Sequence, residues 1–321
     1  MSFQEHNETI DYLSLFNEPM DSYTHISDDE IAHLLGFHVG PLFDRLKLRE
    51  RTKLTYGGQA TRASAAIHVP AVMSNKNAKQ YMDHIAFHGY DCQFNCTKSR
   101  NRYEEIARLH RDYPDLDILM TEICYAYNGD DPNCMNKETI QNCTDWPRNT
   151  SLAPPLPRLD FSDGRIWGSR IVSDFNAGVS GWIYWNLLLD INGGPFEYSP
   201  KHADNGENFQ QAMFHVDAES QTYHPTALFW YVAHFSKFVR PNSIRISTSL
   251  EGNVNWQPDP NEPEGTTGIE LLGFESNDNE TLVLQILNHW NESTKIVLQY
   301  LDLEAYLDLP AISITTASWQ K

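Results

Sequence analysis

LDILMTEICY, residues 116–125, is an apolar run that ends on a carboxylate, Glu122. Its aliphatic core reads as a buried strand, with the charge delivered at the strand's far end. A second run of the same build, LSLFNEP at 13–19, delivers Glu18. Working outward, strands are expected at 10–16, 52–57, 85–90, 117–121 and 179–185. Helical patterns are expected between them at 28–49, 75–84, 99–112 and 165–177. Repeated strand–helix units imply a parallel sheet or barrel. In such barrels the active groups gather at the C-terminal strand ends, where Glu18, Gln59, His88, Glu122 and Trp185 all fall.

Two carboxylates brought together from distant strands suit hydrolysis of a glycosidic bond. One protonates the leaving oxygen while the other attacks the sugar carbon or activates water. Each residue also has a plainer reading. An Asn-Glu-Pro after a strand can be a capped loop, a Thr-Glu at a strand end a surface carboxylate, and His88 a hydrogen-bonded core histidine. Trp182 and Trp185 can be core, and Met73, Met120 and Met213 read as packing only. What favours the catalytic reading is the joint placement of these residues in barrel order.

The 321 residues suffice for one large domain and a small one. A net charge of −19 argues against nucleic-acid or anionic-membrane binding through bulk electrostatics. The acidic residues form no long runs, and 12 % aromatics with eight Trp fit a folded, pocket-bearing protein. No stretch reaches the length of a membrane-spanning helix. Residues 125–165, with NGDDPNC and SLAPPLPRLDF, read as one long loop.

Sequons begin at Asn7, Asn95, Asn142, Asn149, Asn279 and Asn291, which leans toward an exported glycoprotein. Cys92, Cys96, Cys134 and Cys143 lie in polar sequence suited to disulfides, and their spacing does not fix a pairing. Compact zinc-finger spacing is absent, and no metal or cofactor is expected. Cys124 stands apart as a pocket-wall thiol. The opening MSFQEHNETI carries no signal-peptide pattern, so an export signal is expected upstream of it.

After residue 240 the pattern changes to short alternating strands at 243–250, 268–275, 281–289, 294–301 and 311–318. They imply a small antiparallel β-sandwich. The expected domains are thus 1–238, a partial (β/α) barrel, and 239–321, the sandwich. The sandwich reads first as a structural buttress and second as a carbohydrate-binding module.

Five ordered segments carry a family resemblance: NEP at 17–19, AFHGY at 86–90, ARLHRDYPDLDILMTEICY at 107–125, GWIYWNLLLDINGGP at 181–195 and FWYVAHFSKF at 229–238. The chain resembles the lysosomal acid β-glucosidases, or glucosylceramidases, of glycoside hydrolase family 30. The resemblance implies Glu18 as general acid/base, Glu122 as nucleophile and Asn17 as partner of the sugar 2-hydroxyl. It implies His88, Tyr90, Trp185 and, less closely matched, Gln59 as pocket residues. Where the family has an aromatic between the histidine and tyrosine, this chain has Gly89, which is expected to enlarge that wall.

The implied fold is a (β/α)8 TIM barrel lacking its first three β-α units, followed by the sandwich. The implied activity is a retaining β-glucosidase acting on glucosylceramide-like glycolipids in the lysosome or outside the cell. The resemblance leaves room for a lipid-presenting activator protein and for peripheral contact with a membrane surface. Two alternatives stand beside it. One is a catalytically inactive truncated homologue with a binding or regulatory role. The other is a relative of different specificity, a β-xylosidase or β-1,6-glucanase.

Overall fold

The computed structural model describes residues 9–19, 25–92, 102–124, 164–191, 212–251 and 268–321. These fall into two compact units. One is drawn from Met1–Cys92, Arg100–Ile123 and Asn176–Tyr184, the other from Gln93–Ser99, Cys124–Phe175 and Trp185–Lys321. The long loop expected at 125–165 lies almost wholly outside the described residues. So do Cys96, Cys134, Cys143 and the sequons at Asn7, Asn95, Asn142 and Asn149. Among the described residues no helix is long and apolar enough to cross a membrane.

The first unit is a parallel sheet of five strands in sequential order: β1 (Tyr12–Ser14), β2 (Lys53–Gln59), β3 (His84–His88), β4 (Asp117–Glu122) and β5 (Gly181–Trp182). All four pairings are parallel. Strands buried on both faces read as continuous apolar runs, and β3 is buried at every residue. All five strand expectations meet a strand, with ends that differ by a few residues. The helix expected at 28–49 is α1 (Asp28–Leu34), a π turn (Leu35–Val39) and α2 (Gly40–Arg45) in succession. Ser27 and Glu30 close a capping box at its start.

Two helices differ from expectation. α3 (Arg62–Met73) was not foreseen, since its apolar residues Ala65, Ala66, Val69, Val72 and Met73 make no narrow stripe and Pro70 interrupts the pattern. All five are nonetheless buried. The helix expected at 75–84 shrinks to α4 (Lys76–Lys79), because 84–88 is committed to β3. α5 (Tyr103–Asp112) closes the described helices of this unit and buries Ile106 and Leu109.

The second unit gathers α6 (Gly164–Asn176, all but its last residue), a three-stranded sheet and the C-terminal strands. The sheet consists of β6 (Leu188–Asp190), β7 (Phe214–Asp217) and β8 (Thr222–Pro225). α7 (Ala227–Phe238) follows, then β9 (Ile244–Ile246), β10 (Ile269–Glu275), β11 (Thr281–Asn288), β12 (Thr294–Tyr300), β13 (Leu303–Leu309) and β14 (Ser313–Gln320). β14-β11-β10-β9 form one antiparallel sheet, and β12-β13 form a hairpin. Ile296, Leu298, Leu307 and Leu309 of the hairpin share a core with Ile269, Leu284 and Ile286 of the sheet. The helices meet the other face of β11: a Cβ on Gly168 would meet the Tyr231 ring at 2.7 Å and Leu287 at 2.9 Å. Gln285 donates to the carbonyl of His234 on α7. The compact unit therefore reaches back past residue 239 to take in α6 and α7.

Candidate active site

The carboxyl ends of β1 to β4 bring the first unit's polar residues together. Glu18 follows β1 in a left-handed backbone conformation, φ 45°, sparsely populated by a residue with a long side chain. Its N–H donates to the carbonyl of Gly58 at 2.8 Å, which fixes it to the end of β2. That carbonyl is placed by a bulge: Gly57 and Gly58 have φ of +133° and +68°, and the β2–β3 register shifts there. A Cβ on Gly57 would lie 1.7 Å from the carbonyl oxygen of Ala86. Only glycine fits that position.

His88 ends β3 and sits between the acids. Its Nδ1 is 2.8 Å from Glu18 Oε1, and its Nε2 is 3.7 Å from Glu122 Oε2. The Tyr90 hydroxyl donates to Glu122 Oε1 at 3.0 Å, and its ring meets His88 edge-on at 5.9 Å. The His88 side chain is 4 % exposed, while those of Glu18 and Glu122 are 20 % and 23 % exposed. The histidine is thus a buried strut, and both carboxylates reach solvent. One oxygen of each carboxylate and a ring nitrogen of His88 all lie within 4.8 Å of one another. The two acids address opposite nitrogens of one ring, Glu18 at hydrogen-bond distance and Glu122 beyond it.

A buried ion pair supports the segment that carries His88 and Tyr90. Arg62, at the start of α3, meets Asp91 at 2.8 Å with the two side chains 0 % and 2 % exposed. The guanidinium lies 4.6 Å over the Tyr103 ring and 5.3 Å over Phe87. Asp91 also accepts from the N–H of Ala63. Backbone bonds from Tyr90 to Ala60 and from Gly89 to Glu122 tie the segment to β2 and β4. Sequence reading missed this pair, although an Arg two residues after a strand-end turn was visible in GGQATR.

The remaining expected residues fall in other places. Asn17 adjoins Glu18 and is exposed. Gln59 is fully buried, and its amide N–H donates to the Tyr56 hydroxyl at 3.1 Å. Tyr56 in turn faces Asp28 of α1, which also holds His68 of α3. Burial beside the Asp28 carboxylate pushes the Tyr56 hydroxyl's pKa up. Gln59 thus joins the helix-facing layer, while its Oε1 has no hydrogen-bond partner among the described residues. Gly89 does not open the wall, since a Cβ there would meet Ile123 Cδ1 at 2.6 Å and Ile123 fills that space. Trp185 belongs to the second unit and is 46 % exposed. Cys124, also in that unit, is half-buried.

Comparison with known proteins gives a consistent answer. Residues 158–239 match the glycosyl hydrolase family 30 TIM-barrel domain. The whole chain aligns with putative glucosylceramidase 3 of Caenorhabditis elegans at 24 % identity, spanning 53 % of that protein. It aligns with the lysosomal acid glucosylceramidase of Mus musculus at 23 % identity, over 78 % of this chain and 39 % of the relative. The solved endo-β-1,6-glucanase BT3312 superposes with a TM-score of 0.71 at 20 % identity, covering 99 % of this chain and 60 % of that one. The chain is therefore similar, over a stretch that spans 39 % to 60 % of the length of these relatives, to glycoside hydrolase family 30 proteins, glucosylceramidases among them.

Proposed function

We propose that the chain carries the catalytic pair of a retaining β-glucosidase. The observation that supports this is the approach of the Glu18 and Glu122 carboxylate oxygens to within 4.8 Å, with His88 between them. Retaining glycosidases hold their carboxyl groups about 5–5.5 Å apart, whereas inverting enzymes leave about 6.5–9.5 Å for a water. Glu122, held by the Tyr90 hydroxyl, attacks the anomeric carbon. Glu18 gives its proton to the leaving oxygen, then takes one from the water that releases the sugar. His88 Nδ1 can donate to the Glu18 carboxylate, and the same contact reverses when Glu18 carries the proton. In this way His88 holds the acid in place through both half-reactions. Asn17, next to the acid, is assigned the sugar 2-hydroxyl.

The substrate we assign is a β-glucoside of the glucosylceramide type, on the names of the C. elegans and mouse relatives. The lysosomal relative and the sequons support a lysosomal or secreted setting. A lipid-presenting activator protein and peripheral contact with a membrane surface belong to the same assignment. The architecture proposed for the whole is a partial (β/α) barrel with a C-terminal β-sandwich. A second reading, a β-1,6-glucanase, draws on the likeness to BT3312.

The test is the hydrolysis of an aryl β-glucoside, glucosylceramide in detergent and a β-1,6-glucan by the purified chain and by its Glu122→Gln variant. Activity on the first two that Glu122→Gln removes supports the proposal. Preference for the glucan moves the assignment to the second reading. A folded chain inactive on all three overturns it and leaves a non-catalytic homologue.

A further inference from the structure

The run from Asp28 to Arg45 is not uniformly α-helical, and the reason is local. Pro41 has no N–H to give the carbonyl four residues back. The N–H of Gly40 goes to Leu35 O, five residues back, which makes Leu35–Val39 a π turn. Glycine is needed on the inner side of this stretch. A Cβ on Gly36 would lie 2.9 Å from the backbone of Asn77 and Ala78, and one on Gly40 would lie 2.2 Å from the Tyr81 ring. The extra residue in the turn brings side chains five apart onto one face, where an α-helix would align those three or four apart.

The pair so aligned is His33 and His38. Their Nε2 atoms are 3.3 Å apart, and this is their one hydrogen bond among the described residues. The rings stand 5.2 Å apart at 62°, both residues exposed to solvent. Other histidines of this unit are engaged by carboxylates: His68 by Asp28, His84 by Asp117 and His88 by Glu18. Among the described residues His33 and His38 meet no carboxylate: their rings meet each other, and that of His33 also meets Phe37 at 5.0 Å.

We propose that His33 and His38 form a chelating site for one divalent transition cation of the zinc, nickel and copper class. Two imidazole nitrogens bound to tetrahedral zinc at about 2.0–2.1 Å lie about 3.3–3.4 Å from one another. The observed 3.3 Å matches that bite. Imidazole is the ligand that suits these metals, and water completes the coordination at an exposed site. Asp29 lies one turn before His33 on α1, and the net charge of −19 favours cations generally. A bound cation would clip α1, through His33, to the π turn, through His38.

The experiment is calorimetric titration of the purified chain with Ni²⁺ at neutral pH, paired with thermal melts with and without the metal. One equivalent should bind and raise the melting temperature. His33→Asn and His38→Asn should each abolish both effects while leaving the metal-free melt unchanged, because both side chains are exposed. Glu122→Gln should keep them, which separates this site from the Glu18, His88 and Glu122 trio. Full binding in the double variant His33→Asn/His38→Asn, binding lost in Glu122→Gln, or no binding by the unaltered chain would each overturn the assignment.

Discussion

β1 and β3 stand two places apart in one parallel sheet, yet they hold the site on unlike terms. β3 is buried at all five residues, and the segment after it is bolted down by Arg62 and Asp91. β1 is exposed at all three, with Tyr12 51 % and Leu13 36 % accessible, and among the described strands it pairs only with β2. His88 and Tyr90 therefore rest on the rigid part of the sheet. Glu18 rests on an edge and on single bonds, one to the Gly58 carbonyl and one to His88. A general acid must change protonation state within each cycle, whereas a nucleophile must keep one aim. With the roles proposed above, the looser support falls on Glu18 as the acid and the firmer one on Tyr90, which holds Glu122.

The largest effect should come from the firmly held carboxylate. Glu122→Gln should remove turnover on every aryl glucoside. Glu18→Gln should cost about 10²–10⁴ in rate with a poor leaving group and much less with a good one, which needs no proton. Turnover measured across a series of leaving groups checks this, and equal losses from both variants across the series would abolish the distinction between the two residues.

Next comes the support itself. Arg62→Met takes the guanidinium away from the buried Asp91 carboxylate, and should destabilise by about 3–5 kcal/mol in urea unfolding. Tyr12→Ala on exposed β1 should stay within about 1 kcal/mol. A smaller effect is expected at the joint between the strands. Gly58→Ala meets a left-handed backbone at φ +68° and should cost about 1–2 kcal/mol. Its Cβ would come 3.1 Å from the Phe16 carbonyl, two residues before Glu18. The variant should therefore lose more of kcat than its modest destabilisation predicts. Parallel urea and kinetic measurements would show whether the two losses separate.

The same contrast explains what could be read from sequence. Glu18, His88, Tyr90 and Glu122 were legible because each ends, or directly follows, an apolar run, and strand ends in a parallel sheet converge. Gln59 also ends a run, but the glycine bulge before it shifts the register, and its amide turns to Tyr56. Counting alternation along a strand cannot see such a shift. α3 escaped because a helix of alanines and valines buried on several sides shows no stripe. β6, β7 and β8 escaped because three or four residues carry too little periodicity. β13 (LEAYLDL) was hidden differently: it returns along β12 after a two-residue turn at Leu301 and Asp302, without the Gly or Asn that marks most hairpins.

The smallest expected effect concerns acid, and it lies in the second unit. His215 is fully buried, its Nδ1–H donating to the Asp190 carbonyl at 2.7 Å and its Nε2 accepting from the Ala212 N–H at 3.2 Å. Both contacts require the neutral ring, because a protonated Nε2 would point a proton at an N–H. Burial holds the pKa of His215 below that of a free imidazole, as it does for His234 on α7 and His84 in β3. A base whose pKa is depressed by folding binds its proton more readily when unfolded. The stability it contributes is complete above the unfolded value of about 6.5 and is lost as pH falls through the folded one. Melting temperature should therefore decline from pH 7.5 to pH 5. His215→Asn should lower the melt at pH 7.5 yet flatten that decline, since one of these three depressed bases no longer titrates. An equally steep decline in the variant would assign the acid sensitivity of the fold to His84 and His234, and with them to both units rather than to the second alone.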